Sequence, residues 1–137
     1  MNNYLKRYAD YMDQHGVKYH LWEDGDTVSV TYDMRSGATL TVHLHFDEDG
    51  DGKVDMSVIH LGKFSAERLV AGLLTCNDLN QNFRWVKFYL DSDNEACARC
   101  DAIIDLETVG DECFELMQRM LHIVDDALPN LKRALGE

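Results

Sequence analysis

Residues 39–46 read Thr-Leu-Thr-Val-His-Leu-His-Phe, with Leu40, Val42, Leu44 and Phe46 on one side of the alternation and Thr39, Thr41, His43 and His45 on the other. A side-chain period of two buries that apolar set only if the segment is a strand with one face against a core. A helix would scatter the same four residues around its circumference. Neighbouring segments repeat the pattern. Val17, Tyr19 and Leu21 alternate with Lys18, His20 and Trp22; Val28, Val30 and Tyr32 alternate with Thr27, Ser29 and Thr31; Val54, Met56 and Val58 form a fourth run. Glu23-Asp24-Gly25-Asp26, Arg35-Ser36-Gly37 and the acidic stretch after Phe46 supply turn residues between them.

Where the period lengthens to that of a helix, three helices are expected. Tyr4 to His15 carries Leu5, Tyr8 and Met12 on one stripe, and Gly16 fits the left-handed position after a helix end. Ser65 is placed to cap a second helix whose apolar set is Leu69, Val70, Leu73, Leu74 and Leu79, closed by the Asn-rich stretch 77–82. Two strands follow, one with Val86, Phe88 and Leu90, the other with Ala96, Ala98, Cys100, Ala102 and Ile104; Asp91-Ser92-Asp93-Asn94 turns between them. A third helix starts near Thr108, with Asp111 and Glu112 at the positive end of its dipole and Cys113, Met117 (or Leu116), Met120 and Val124 inward. Pro129 is expected to begin a short final turn.

The order α-β-β-β-β-α-β-β-α, with each strand apolar on one side, specifies an α+β fold in which helices pack on one side of an antiparallel sheet. The length of 137 residues suits a single domain spanning 1–137. No part of the order calls for a parallel crossover sheet, which disfavours nucleotide-binding α/β folds.

Charge narrows the partners. The formal net charge is −12, and residues 91–112 hold eight acids against Arg99 alone. Such a field repels nucleic acid and anionic membranes. Lys6, Arg7 and Asp10 in the first ten residues, with no apolar run, argue against a signal peptide, and no stretch is long enough to span a bilayer. Cys76, Cys97, Cys100 and Cys113 are then expected to be reduced thiols of the cytoplasm.

Four sets of residues resemble chemistry. Asp47, Asp49, Asp51 and Gly52 copy the start of an EF-hand loop, but the bidentate Glu needed at its twelfth position is Val58, and the flanks read as strands. Hairpin-tip turn chemistry accounts for them. Cys97 and Cys100 have zinc-knuckle spacing, yet side chains three apart on a strand point to opposite faces. His43 and His45 share a face, with His20 and His60 as possible third ligands; solvated histidines are the plainer reading. No phosphate-cradling loop, HExxH or GxSxG motif is present, so no catalytic residue, metal site or cofactor is assigned. Trp22, Trp85, Tyr89 and Ile103 fall out of phase with the core residues of their strands. Large apolar side chains on the open face of a sheet mark a partner-binding surface.

Leu73-Leu74-Thr75-Cys76-Asn77-Asp78-Leu79-Asn80, followed by Arg84-Trp85-Val86-Lys87-Phe88-Tyr89-Leu90-Asp91, resembles the YbjN-type family of bacterial sensory-transduction regulators. The specific part is residues 69–126; the first half is similar in element order more than in letters. The resemblance implies a bacterial protein with a fold like that of type III secretion chaperones, which are small, acidic and usually dimeric. It implies no catalytic residues. A non-enzymatic protein-binding or regulatory module, expected as a homodimer, is the leading reading. A secretion-type chaperone holding a partner segment by strand addition and apolar grooves is the alternative within that class. A small-ligand or metal-binding sensor using His43, His45 or the Asp47 loop is the alternative outside it.

Overall fold

A computed structural model describes residues 1–137. Helix α1 (Asn3–Gln14) leads into strands β1 (His20–Leu21), β2 (Thr27–Asp33), β3 (Thr39–Phe46) and β4 (Lys53–Val58). A 3-10 turn (Ala66–Arg68) opens onto α2 (Leu69–Asn82), then β5 (Lys87–Leu90), β6 (Ala96–Ile103) and α3 (Val109–Leu135). The six strands form one sheet in the order β1-β2-β3-β4-β6-β5, every pairing antiparallel. This is the expected α+β architecture, with its elements in the expected order.

The alternation in β3 behaves as its sequence requires: Leu40, Val42, Leu44 and Phe46 are all buried. They join Val28, Val30, Val54, Met56, Val58, Phe88, Ala96, Ala98 and Cys100 as the sheet's contribution to a core cluster of 31 buried residues. Leu5, Tyr8 and Met12 of α1 and Cys113, Met117, Met120, Leu121 and Val124 of α3 close it from the other side. Tyr8 is fully buried, and its hydroxyl donates to the Met117 sulfur at 3.3 Å. Asn2 caps α1, its side-chain oxygen accepting from Tyr4 N–H at 2.8 Å, while its amide donates to Asp47 C=O at 2.7 Å and ties the β3–β4 hairpin to the helix.

The structure corrects several details. Of the segment 17–22 only His20 and Leu21 pair with β2. Ser65 and Thr108 precede helices without capping them through their side chains; Ser65 offers its C=O to Arg68 N–H instead, and Thr108 its C=O to Glu112 N–H. Pro129 starts no new turn. It lies inside the 27-residue α3, because Leu128, Leu131 and Ala134 continue the buried stripe past it. The core contacts of that last stretch outweigh the one main-chain bond a proline cannot donate.

The largest correction concerns α2. Of the five expected core residues Leu79 is buried and Leu69 half-buried, whereas Val70, Leu73 and Leu74 are 67%, 53% and 65% exposed. The buried face is Gly72, Cys76 and Leu79. Gly72 decides the phase: a Cβ there would stand 2.8 Å from the ring of the buried Phe64. At 100° per residue, seating Gly72 inward turns Val70 and Leu74 nearly opposite.

α2 also covers the sheet's last strand. The Asn80 carboxamide accepts from Phe88 N–H at 2.7 Å and donates to Phe88 C=O at 3.1 Å, replacing a neighbouring strand at the outer edge of β5.

Candidate protein-binding surface

The open face of the sheet is mostly hydrogen-bonded furniture. Cross-strand pairs Thr27–His45, Ser29–His43 and Thr31–Thr41 bond side chain to side chain at 3.0, 2.6 and 2.8 Å. Trp22 lies over this ladder, its indole N–H donating to Ser29 Oγ at 2.6 Å and its ring edge-on to His20 and His43. The Ser29 hydroxyl accepts from the indole and is also hydrogen-bonded to His43 Nδ1, so one oxygen ties both rings to the sheet. Burial, reinforced by the charge of His60, holds the His43 pKa below its usual value. Both histidines of the pair are thus engaged within the sheet, and His60 contacts Glu95 instead.

The carboxylates of Asp47, Asp49 and Asp51 gather within 4.8 Å of one another at the β3–β4 hairpin tip. Lys53 neutralises part of that charge, its ammonium 2.7 Å from Asp51. Val58, in the place of a twelfth-position ligand, is buried at the end of β4. All four cysteines are buried, and burial pushes every thiol pKa up, that of Cys113 to about 12. Cys100 belongs to the core, whereas Cys97 on the other face sits outside it, under Tyr89.

The four residues singled out from strand phase do not form one patch. Trp22 lies beside β1 and Tyr89 on β5, at opposite ends of a six-stranded sheet and so about 24 Å apart at the usual strand spacing. Ile103, 80% exposed, lies between them on β6, across from Lys53. Trp85 leaves the sheet altogether. Val86 N–H bonds Arg84 C=O at 2.6 Å across it, and its φ is 64°. A γ-turn with a positive central φ is the rare, strained form, and a bulky residue so held costs on the order of 1–3 kcal/mol. The turn swings the indole onto the α3 side, where the Arg119 guanidinium lies 5.5 Å from its ring centroid and pairs with Glu115 at 3.0 Å.

The residues missed from sequence are Val70, Leu73 and Leu74. At helical positions i, i+3 and i+4 they form one ridge, held outward by the inward seating of Gly72. The segment 61–90 around them is also the least acidic of the chain, with Lys63, Arg68, Arg84 and Lys87 against Glu67 and Asp78. One signal was available: an apolar run, Leu-Val-Ala-Gly-Leu-Leu, wider than one buried face requires.

An antiparallel sheet with helices over one face defines a class of small α+β folds, and solved structures share it. The crystal structure of YbjN, described as "a putative transcription regulator from E. coli", superposes with a TM-score of 0.64 at 10% identity, covering 93% of this chain and 89% of that one. The heterodimeric ExoU–SpcU complex of the Pseudomonas aeruginosa type III secretion system includes a chain matching with a TM-score of 0.55 at 17% identity, covering 92% and 95%. No curated protein matches the chain. The family model "Putative bacterial sensory transduction regulator" matches residues 5–133, and the chain belongs to this YbjN family.

Proposed function

We propose that the chain is a non-enzymatic protein-binding module of the bacterial cytoplasm, and that α2 is its self-association surface. One observation carries this: three large apolar side chains, Val70, Leu73 and Leu74, each more than half exposed on a single helix face. Water contact at such a ridge is unfavourable by roughly 25 cal/mol per Å² of apolar surface, and a matching ridge removes it. A second copy is the fitting occupant because the ridge carries no charge. Two chains of −12 approach with least repulsion where their surface is least acidic. A two-fold contact between antiparallel α2 helices would set Leu73 against Leu74 and Val70 against Asn77. The description of the family as a regulator and the likeness to a complex that assembles as a heterodimer support the protein-binding half of the reading. That no helix is long and apolar enough to cross a membrane is compatible with it.

Light scattering of the wild type and of Leu73→Glu tests this. The wild type is expected as a dimer, and the variant as a folded monomer, association weakened by about 2 kcal/mol or more; its thermal midpoint should lie lower only by the lost dimer stabilisation, which shrinks on dilution. A wild type that stays monomeric at about 1 mM would remove the α2 interface, since that concentration corresponds to only about 4 kcal/mol of association.

A further inference from the structure

The two neighbours of β6 cover it unequally. β4 pairs with it from Ala98 to Ile103, but β5 only from Ala96 to Arg99. Along an antiparallel strand the main-chain groups of successive residues point alternately to the two sides. Asn80 takes the outward N–H and C=O of Phe88, so Phe88 does not bond its partner Ala98, and Cys97 and Arg99 are the residues that face β5. Ile104 N–H donates to Gly52 C=O at 2.8 Å, which sets the same phase from the β4 side. Asp101 and Ile103 therefore aim their N–H and C=O groups toward the side β5 has left. No turn or loop supplies either with a main-chain bond, and both residues are exposed.

Trp85 is the reason the edge is open. Continuing the register Lys87↔Arg99 would bring Trp85 opposite Asp101. The strained γ-turn takes it away instead and stands its indole beside the gap. Two hollows flank the edge. One of about 610 Å³, on the open face over β4 and β6, is lined by three acids, Asp47, Asp55 and Asp101, with Lys53, Arg99 and Ile103. The other, of about 390 Å³, has Ile104, Leu116 and Trp85 at its walls and Glu112, Glu115 and Arg119 at its rim. A strand laid along Asp101 and Ile103 would send alternate side chains into the two hollows. Glu115 is shared with Arg119, whereas Glu112 has no ion pair, and the exposed Asp105 and Glu107 follow just beyond. Apolar walls under a carboxylate rim suit a methylene stem with a cationic head.

We propose that the β6 edge at Asp101–Ile103 accepts, as an added strand, an extended segment of a partner protein with Lys or Arg at alternate positions. This rests on the protein-binding reading but not on self-association through α2.

The probe is a fluorescent Lys-Val-Lys-Val-Lys-Val peptide with blocked ends, compared with its Glu-for-Lys counterpart and with two versions N-methylated on one or the other alternate set. Each is titrated at low salt into the full chain, wild type and Leu73→Glu. The basic peptide is expected to bind both proteins and to slow deuterium exchange at the Asp101 and Ile103 amides. One N-methylated version should bind about tenfold more weakly, or not at all, and the other normally, since only one edge of the added strand is used. Glu112→Gln should weaken binding severalfold while the chain stays folded, with only the small loss expected of a first-turn carboxylate. The proposal falls if the basic peptide does not bind, if the acidic one binds as well, or if binding leaves those two amides unprotected. A monomeric wild type whose Asp101 and Ile103 amides are still protected would sink the α2 dimer and keep this site; the reverse result would do the opposite.

Discussion

Ser29 Oγ stands 2.6 Å from both Trp22 Nε1 and His43 Nδ1, which holds the imidazole against the sheet and away from water. His43 is held below its ordinary pKa, first by burial and then by His60. The unfolded chain, where the value is about 6.5, therefore takes up the proton first as pH falls. The contribution to stability is complete above about pH 6.5 and is lost as pH falls toward the lower folded value. Asp24, Asp51 and Asp91, also lowered, titrate beneath the ordinary carboxylate value and so outside this window. The thermal midpoint should decline between about pH 7 and pH 5, and His43→Gln should flatten that decline; an equal slope in the variant would assign it elsewhere. That His43 and His45 share a face was legible in the alternation of β3. Their engagement was not, because Ser29 and Thr27 reach them only through the β2–β3 register. Trp85 was illegible for another reason: nothing in its residue type announces a positive φ, and parity along a strand has no meaning once a γ-turn breaks the strand.

Among the elements, the strands β2, β3, β4 and β6 were legible because a period of two leaves no freedom of phase, whereas of the alternation at 17–22 only His20 and Leu21 pair. α2 was misread because it is apolar on both sides, and its phase follows from Gly72 meeting Phe64, a contact periodicity does not encode. In the sequence the Asn-rich end of α2 reads as helix closure alone. Asn80 does more, since its carboxamide supplies both bonds at the outer edge of β5. Asn80→Ala should lose about 2 kcal/mol, two hydrogen bonds at the usual net value. It should also leave the N–H and C=O of Phe88 open to another chain. Chemical denaturation measures the first effect and light scattering on warming the second. A variant as stable as the wild type would reduce the carboxamide to a surface ornament.

At the scale of the whole molecule the charge of −12 acts on the two proposed surfaces with opposite sign. Two subunits meeting through α2 each carry the full negative field, so their association is opposed by repulsion that salt removes. A Lys-rich strand on β6 is drawn by the same field, through Glu112 and the neighbouring acids, so salt weakens it. The screening length falls from about 30 Å at 0.01 M to about 10 Å at 0.1 M, which spans the range from most of a small domain down to immediate neighbours. Raising salt across that range should therefore tighten the dimer and loosen the peptide in one and the same sample. Sedimentation for the dimer and peptide anisotropy in Leu73→Glu for the strand read the two separately. If both weaken with salt, the subunit contact is electrostatic, and the apolar α2 ridge is not its centre. If both tighten, the peptide is held by apolar contact, and the acidic rim plays no part in choosing a basic partner.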